Sequence, residues 1–151
     1  MLLTTFAAQL LSMRVLAFDF GLKRVGVAVT DPLQIIANSL ETVPTKEIEA
    51  FVKAYCNKEE VECFVVGYPM NTGHHENDVV KHIDAFIAKL QQLYPAKPVH
   101  KIDERFTSKM ASQTLLMSGV NKKERQNKGN VDAIAANLIL QTYLEKKSMG
   151  F

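Results

Sequence analysis

The sequence predicts a single α/β domain built on a five-stranded mixed sheet with helices on both faces. Two observations carry this. Three strand-like stretches, two of them apolar and β-branched, crowd the front of the chain, and helical and strand-like periods alternate behind them. A third, local observation concerns function: an aspartate, Asp19, stands inside one of the most apolar strands.

The front of the chain is organised around Val15–Asp31, VLAFDFGLKRVGVAVTD. Val15–Phe20 and Val25–Thr30 read as strands, and Gly21-Leu22-Lys23-Arg24 links them as a hairpin. Pro32–Pro44 reads as a third strand with turns at its ends, given apolar points by Ile35, Ile36, Leu40 and Val43. Thr45 is placed to cap a helix with Ile48, Phe51, Val52 and Tyr55 on one face. Cys63–Gly67 is a short continuous apolar run, the pattern of a buried parallel strand. The loop Tyr68–Asn77 follows. A long helix then carries Val79, Val80, Ile83, Phe86, Ile87, Leu90 and Leu93, and must stop before Pro95.

Val99–Asp103 is the fifth strand, with Glu104 at its end. Thr107 or Ser108 caps a helix that Gly119 closes. The last helix is expected from about Val131 to Lys146, with Ile134, Ala135, Leu138 and Tyr143 inward. Internal repeats, low-complexity tracts and domain linkers are not evident.

The 151 residues suit one core, and 47% apolar with 23% charged residues is ordinary for a soluble globular chain. Cys56 and Cys63 fit neither a disulfide framework nor a zinc motif, and read as packed thiols in a reducing compartment. The net charge of +2 is concentrated: Gly119–Asn130 holds Lys122, Lys123, Arg125 and Lys128 against one acid, Glu124. Such a patch suits a polyanion, or simply a solvated loop. Residues 1–12, MLLTTFAAQLLS, lack the basic start of a secretory signal and are too short to span a bilayer. They read as an N-terminal extension ahead of Met13, from a misassigned start, with a short packed helix as the alternative. Residues 13–151 then form the domain, and the expected location is cytoplasmic, away from membranes.

The chemistry follows from the carboxylates. An unpaired charge inside a strand costs several kcal/mol or neutralises itself, so Asp19 needs a partner, most economically a cation. Gly21 and Gly26 admit close approach of backbone or ligand, while Lys23 and Arg24 bring positive charge to the hairpin tip. Glu104 lies where ligands gather in α/β sheets, beyond a strand's carboxyl end. Asp132 opens the last helix, where the helix dipole alone would also favour it. Together, three acids from separate elements suit phosphodiester hydrolysis around two cations. Asp103 should face away from Glu104 by strand alternation, and Asp31 reads as a turn residue. Arg105 and Lys128 are candidate phosphate contacts. Asn71, in the loop Gly67–Gly73, either bonds substrate or closes the turn. His74-His75 and His82 read as surface residues, and His100 as partly buried.

Four stretches in order, DFGLKRVGVAVTD (Asp19–Asp31), GYPMNTG (Gly67–Gly73), DERFTS (Asp103–Ser108) and NKGNVDAIAANLIL (Asn127–Leu140), resemble the YqgF family. Its members are Holliday-junction-resolvase-like proteins that also carry the description pre-16S rRNA nuclease. The resemblance covers nearly everything from Met13 onward. It implies a ribonuclease-H-like fold of strand order 3-2-1-4-5. It also implies catalytic, metal-binding acids at Asp19, Glu104 and Asp132, with Mg²⁺ or Mn²⁺, two ions, as cofactor. The expected substrate is the precursor of small-subunit ribosomal RNA, in ribosome biogenesis on a pre-ribosomal particle. A four-way DNA junction is the alternative. A monomer or a homodimer would serve.

Two further function classes compete with this one. A phosphotransferase of the actin and sugar-kinase type uses a similar Asp-x-Gly hairpin but needs two such domains. A non-catalytic nucleic-acid-binding module gains nothing from three acids facing phosphates.

Overall fold

The computed structural model describes residues 13–69, 78–103 and 128–150. Strands β1 (Arg14–Phe20), β2 (Arg24–Thr30) and β3 (Ala37–Pro44) come first. A 3₁₀ turn at Thr45–Glu47 leads into helix α1 (Ile48–Lys58), then β4 (Val61–Tyr68), α2 (Asp78–Leu93), β5 (Val99–Asp103) and α3 (Lys128–Ser148). The strands form one sheet of order β3-β2-β1-β4-β5. β1–β2 and β2–β3 pair antiparallel, while β1–β4 and β4–β5 pair parallel. The mixed sheet and its order agree with expectation.

Alternation along the strands divides the core in two. Leu16, Phe18, Phe20, Val25, Val27, Phe64 and Val66 point to one face, where Ile48 and Val52 of α1 and Ile83, Phe86, Ile87 and Leu90 of α2 cover them. Val15, Ala17, Ala28, Cys63, Val65 and Ile102 point to the other, beneath Ala136, Ile139 and Leu140 of α3. The first face is bulky, with Phe18 edge-on to Phe86 at 5.1 Å between ring centroids. The second is built from smaller side chains in β1 and β2, so α3 settles close and touches all five strands.

Three expectations are corrected. Ile35 and Ile36 are not strand residues: they are exposed in the β2–β3 turn, and β3 buries Val43 alone. The sequence could not say which apolar residues of this stretch would find a partner. Thr45 does not cap α1, whose first turn receives no side-chain cap. Its hydroxyl donates instead to the Gly21 carbonyl at 2.7 Å. On α3, the fully buried residues are Ala135, Ala136, Ile139 and Leu140; Tyr143 faces inward as expected, packing on this core with its hydroxyl against Cys63, whereas Ile134 and Leu138 are only half-buried. The stretch IAANLIL is apolar around most of the helix, so periodicity alone does not select the inward face; placement on the sheet does.

Asp31 is a turn residue, as expected. Its carboxylate accepts from the backbone N–H groups of Leu33, Ile35 and Ile36 at 2.7–3.1 Å. Those bonds, Ile36's foremost, hold its pKa below the ordinary value. The expected helix from Thr107 or Ser108 to Gly119, residues 1–12, His74 and His75 lie outside the described residues. Among the described residues no helix is long and apolar enough to cross a membrane.

Candidate active site

The site lies at the β1–β2 hairpin, on the α3 side of the sheet. Asp19 follows Val15 and Ala17 on that face, half-buried near the strand's carboxyl end. Opposite it in register on β2 is Gly26. A Cβ at residue 26 would collide with the backbone carbonyl of Asp132. The glycine is therefore the seat of α3: it lets the helix backbone descend onto the strand pair beside Asp19. Ser39 on β3 steadies the same turn, its hydroxyl donating to the Ala133 carbonyl at 3.1 Å.

Asp132 is not the opening residue of the helix. α3 begins at Lys128, which places Asp132 in its second turn. Macrodipole stabilisation falls off within the first turn, so the dipole accounts poorly for an acid here. Its side chain meets the hairpin instead, with Oδ2 3.0 Å from Nε of Arg24.

The hairpin tip is held by backbone bonds. The Gly21 N–H donates to the Arg24 carbonyl at 3.0 Å, and a Cβ at Gly21 would stand 2.8 Å from that oxygen. Thr45 clamps the tip from the 3₁₀ turn after β3: its N–H donates to the Lys23 carbonyl at 3.1 Å, and its hydroxyl donates to the Gly21 carbonyl. Thr45 was missed as a site-supporting residue, because nothing in its neighbourhood in sequence points across to the hairpin. The result is an open cleft of about 400 Å³ lined by Asp19, Phe20, Gly21, Leu22, Lys23, Arg24, Val79 and Asp132.

The structure thus brings together Asp19, Asp132, Lys23 and Arg24. Glu104, Arg105 and Asn71 lie outside the described residues, as does the side chain of Lys128. Asp103 is on the opposite face from Ile102, with Lys101 of that face packed 4.4 Å over the Tyr68 ring. His82 is exposed, as expected. His100 is exposed as well, rather than partly buried, and packs against Tyr143 at the edge of α3. Cys63 is buried and its thiol is pushed up by burial; Cys56 is shifted the same way. Burial thus disfavours the thiolate form at both positions.

The donor chemistry suits a hard divalent cation. Two carboxylates from separate elements line one open cleft, and Mg²⁺-like ions take few carboxylates and keep waters. Among the described residues no three His, Cys, Asp or Glu side chains converge. Basic side chains at the rim suit phosphate oxygens.

An α/β sheet of order 3-2-1-4-5 with three antiparallel strands first, an acid at the end of its central strand and a second acid beside it on the last helix, defines a ribonuclease-H-like nuclease domain. Residues 13–146 match the RuvX family, described as Holliday junction resolvase, and the chain belongs to that family. It is accordingly a nuclease, a nucleic-acid-binding hydrolase of a family that depends on divalent metal. A protein of Bacteroides thetaiotaomicron named "Putative pre-16S rRNA nuclease" is 48% identical over 134 residues, 89% of this chain and 97% of its own length. One of the same name from Phocaeicola vulgatus is 50% identical over 134 residues, 89% and 96% of the two chains. Among solved structures, Thermus thermophilus RuvC in complex with a Holliday junction substrate superposes with a TM-score of 0.58. It covers 91% of this chain and 96% of that one at 22% identity, a likeness of fold.

Proposed function

We propose that this nuclease cuts the precursor of 16S ribosomal RNA in its 5′-end maturation, in the cytoplasm, on the RNA or a pre-ribosomal particle. The observation that carries the site is the meeting of Asp19 and Asp132, from opposite ends of the chain, in the cleft that Lys23 and Arg24 border. The names of the most similar relatives, at 46–50% identity, support the substrate.

Asp19, Asp132 and Glu104 would hold the divalent cation, Mg²⁺ or Mn²⁺, as two ions. Glu104 is the next residue in the sequence after β5, whose carboxyl end is where ligands gather in an α/β sheet. Bound there, such ions supply Lewis-acid activation of water and charge neutralisation at the leaving oxygen. The chain's own contribution is position. Gly26 sets how near Asp132 stands to β1, and Thr45 fixes the hairpin whose Lys23 and Arg24 meet the phosphates. Arg105, Lys128 and Asn71 are further substrate contacts in this reading.

The test is cleavage of precursor RNA by purified protein with Mg²⁺ or Mn²⁺, beside Asp19→Asn. The variant should retain no more than about 1% of wild-type activity. Equal activity in both would assign the signal to contamination and remove Asp19 from the site. The family description favours one second reading, a resolvase of four-way DNA junctions. Matched-salt assays on both substrates separate the two, since affinity for either depends steeply on salt.

A further inference from the structure

The ion pair between Arg24 and Asp132 suggests how the site couples its two ligands. Their side chains are 35% and 26% exposed, and Nε stands 3.0 Å from Oδ2. Both line the cleft that holds Asp19. The carboxylate Arg24 bonds is one that the proposed reading gives to a cation. A guanidinium and a divalent cation on one carboxylate draw on the same negative charge and repel each other at short range.

Arg24 is not needed to place the Asp132 backbone. The backbone of that residue is seated by Gly26, and the next carbonyl, Ala133, accepts from Ser39. Nor must the Arg24 backbone move when the side chain lets go, because its carbonyl is fixed by the Gly21 N–H and its neighbour Lys23 by Thr45. Only the guanidinium need change partner. A phosphate offers it a better one, since its planar fork matches phosphate oxygens in bidentate fashion.

We propose that Arg24 is a counter-ion of Asp132 that competes with the divalent cation and transfers to a substrate phosphate, so that cation and nucleic acid bind with positive coupling through one side chain. This rests on the reading of Asp132 as a cation ligand. The coupling is reciprocal: whatever nucleic acid does to cation affinity, cation does to nucleic-acid affinity. Arg24 is here a positioning residue, acting through Asp132 until the phosphate arrives.

Calorimetric titration of the full chain with Mn²⁺ tests it. Without nucleic acid, Arg24→Gln should bind Mn²⁺ roughly two- to fivefold more tightly than wild type, the range expected for releasing a partly exposed ion pair. A phosphorothioate-linked oligoribonucleotide should tighten Mn²⁺ binding by wild type severalfold, and by Arg24→Gln markedly less. Thermal melting checks that the variant is folded; if it is not, Arg24→Lys must show the same two trends in weaker form. Equal or weaker Mn²⁺ binding by the folded variant overturns the proposal, making Arg24 a strut for Asp132 or a bystander. The cation reading fails separately: if Asp19→Asn and Asp132→Asn both bind Mn²⁺ as well as wild type, the carboxylates are not its ligands.

Discussion

Gly26→Ala is the sharpest structural test of the site, because one methyl group stands between the strand pair and the helix that carries Asp132. The Cβ would overlap the Asp132 carbonyl carbon and oxygen. Neither β2, held between β1 and β3, nor the backbone of a helix gives way like a flexible side chain. Restoring ordinary contact requires the start of α3 to lift by about 1 Å. Overpacking of this kind costs about 1–3 kcal/mol, which lowers the melting temperature of a chain this size by roughly 3–10 °C. Activity should suffer more than stability. Asp19 is paired directly with Gly26, so the displacement falls on the Asp19–Asp132 separation, and a misplacement of that size can cost about 100-fold in rate. The assay is cleavage of precursor RNA at saturating Mg²⁺, at a temperature where circular dichroism shows both proteins folded. A variant with wild-type rate and unchanged melting would refute the argument that Gly26 seats the helix and thereby the site.

Three further outcomes follow from other parts of the frame. Thr45→Val keeps the shape but deletes the bond to the Gly21 carbonyl; it should cost about 1 kcal/mol and speed amide hydrogen exchange at the hairpin tip, with exchange elsewhere unchanged. Leu140→Ala, at a fully buried position on the inward face of α3, should lose about 2–5 kcal/mol in urea denaturation. Asp31→Ala should lower the melting temperature at neutral pH by a few degrees, about 2–5 °C. Because the fold lowers the pKa of Asp31, its contribution is present above the ordinary value of 3.8 and fades as pH falls through the lower folded value. The wild-type advantage should therefore shrink in acid, and a difference that persists at pH 2 would count against the carboxylate as its source.

Much of this was legible in the chain. The strands of the hairpin, β4 and β5, and helices α1 and α2 follow from period and from the breakers that bound them. The oddity of Asp19 follows from the cost of a charge in an apolar strand. These are local properties, carried by a few adjacent residues. The fate of Ile35 and Ile36 was not legible, because an apolar side chain is buried only if something covers it. The same holds for the inward face of α3, whose apolar residues surround the helix, and for the exposure of His100 at the sheet's edge.

The sequence by itself determined the elements, their alternation and the carboxylate that needed a partner, because backbone sterics and desolvation act on neighbours along the chain. Only the tertiary structure decided that Gly26 receives the helix, that Thr45 clamps a hairpin 24 residues away, and that Arg24 meets Asp132. Those contacts depend on strand register and on how closely α3 packs, and no stretch of residues encodes either alone.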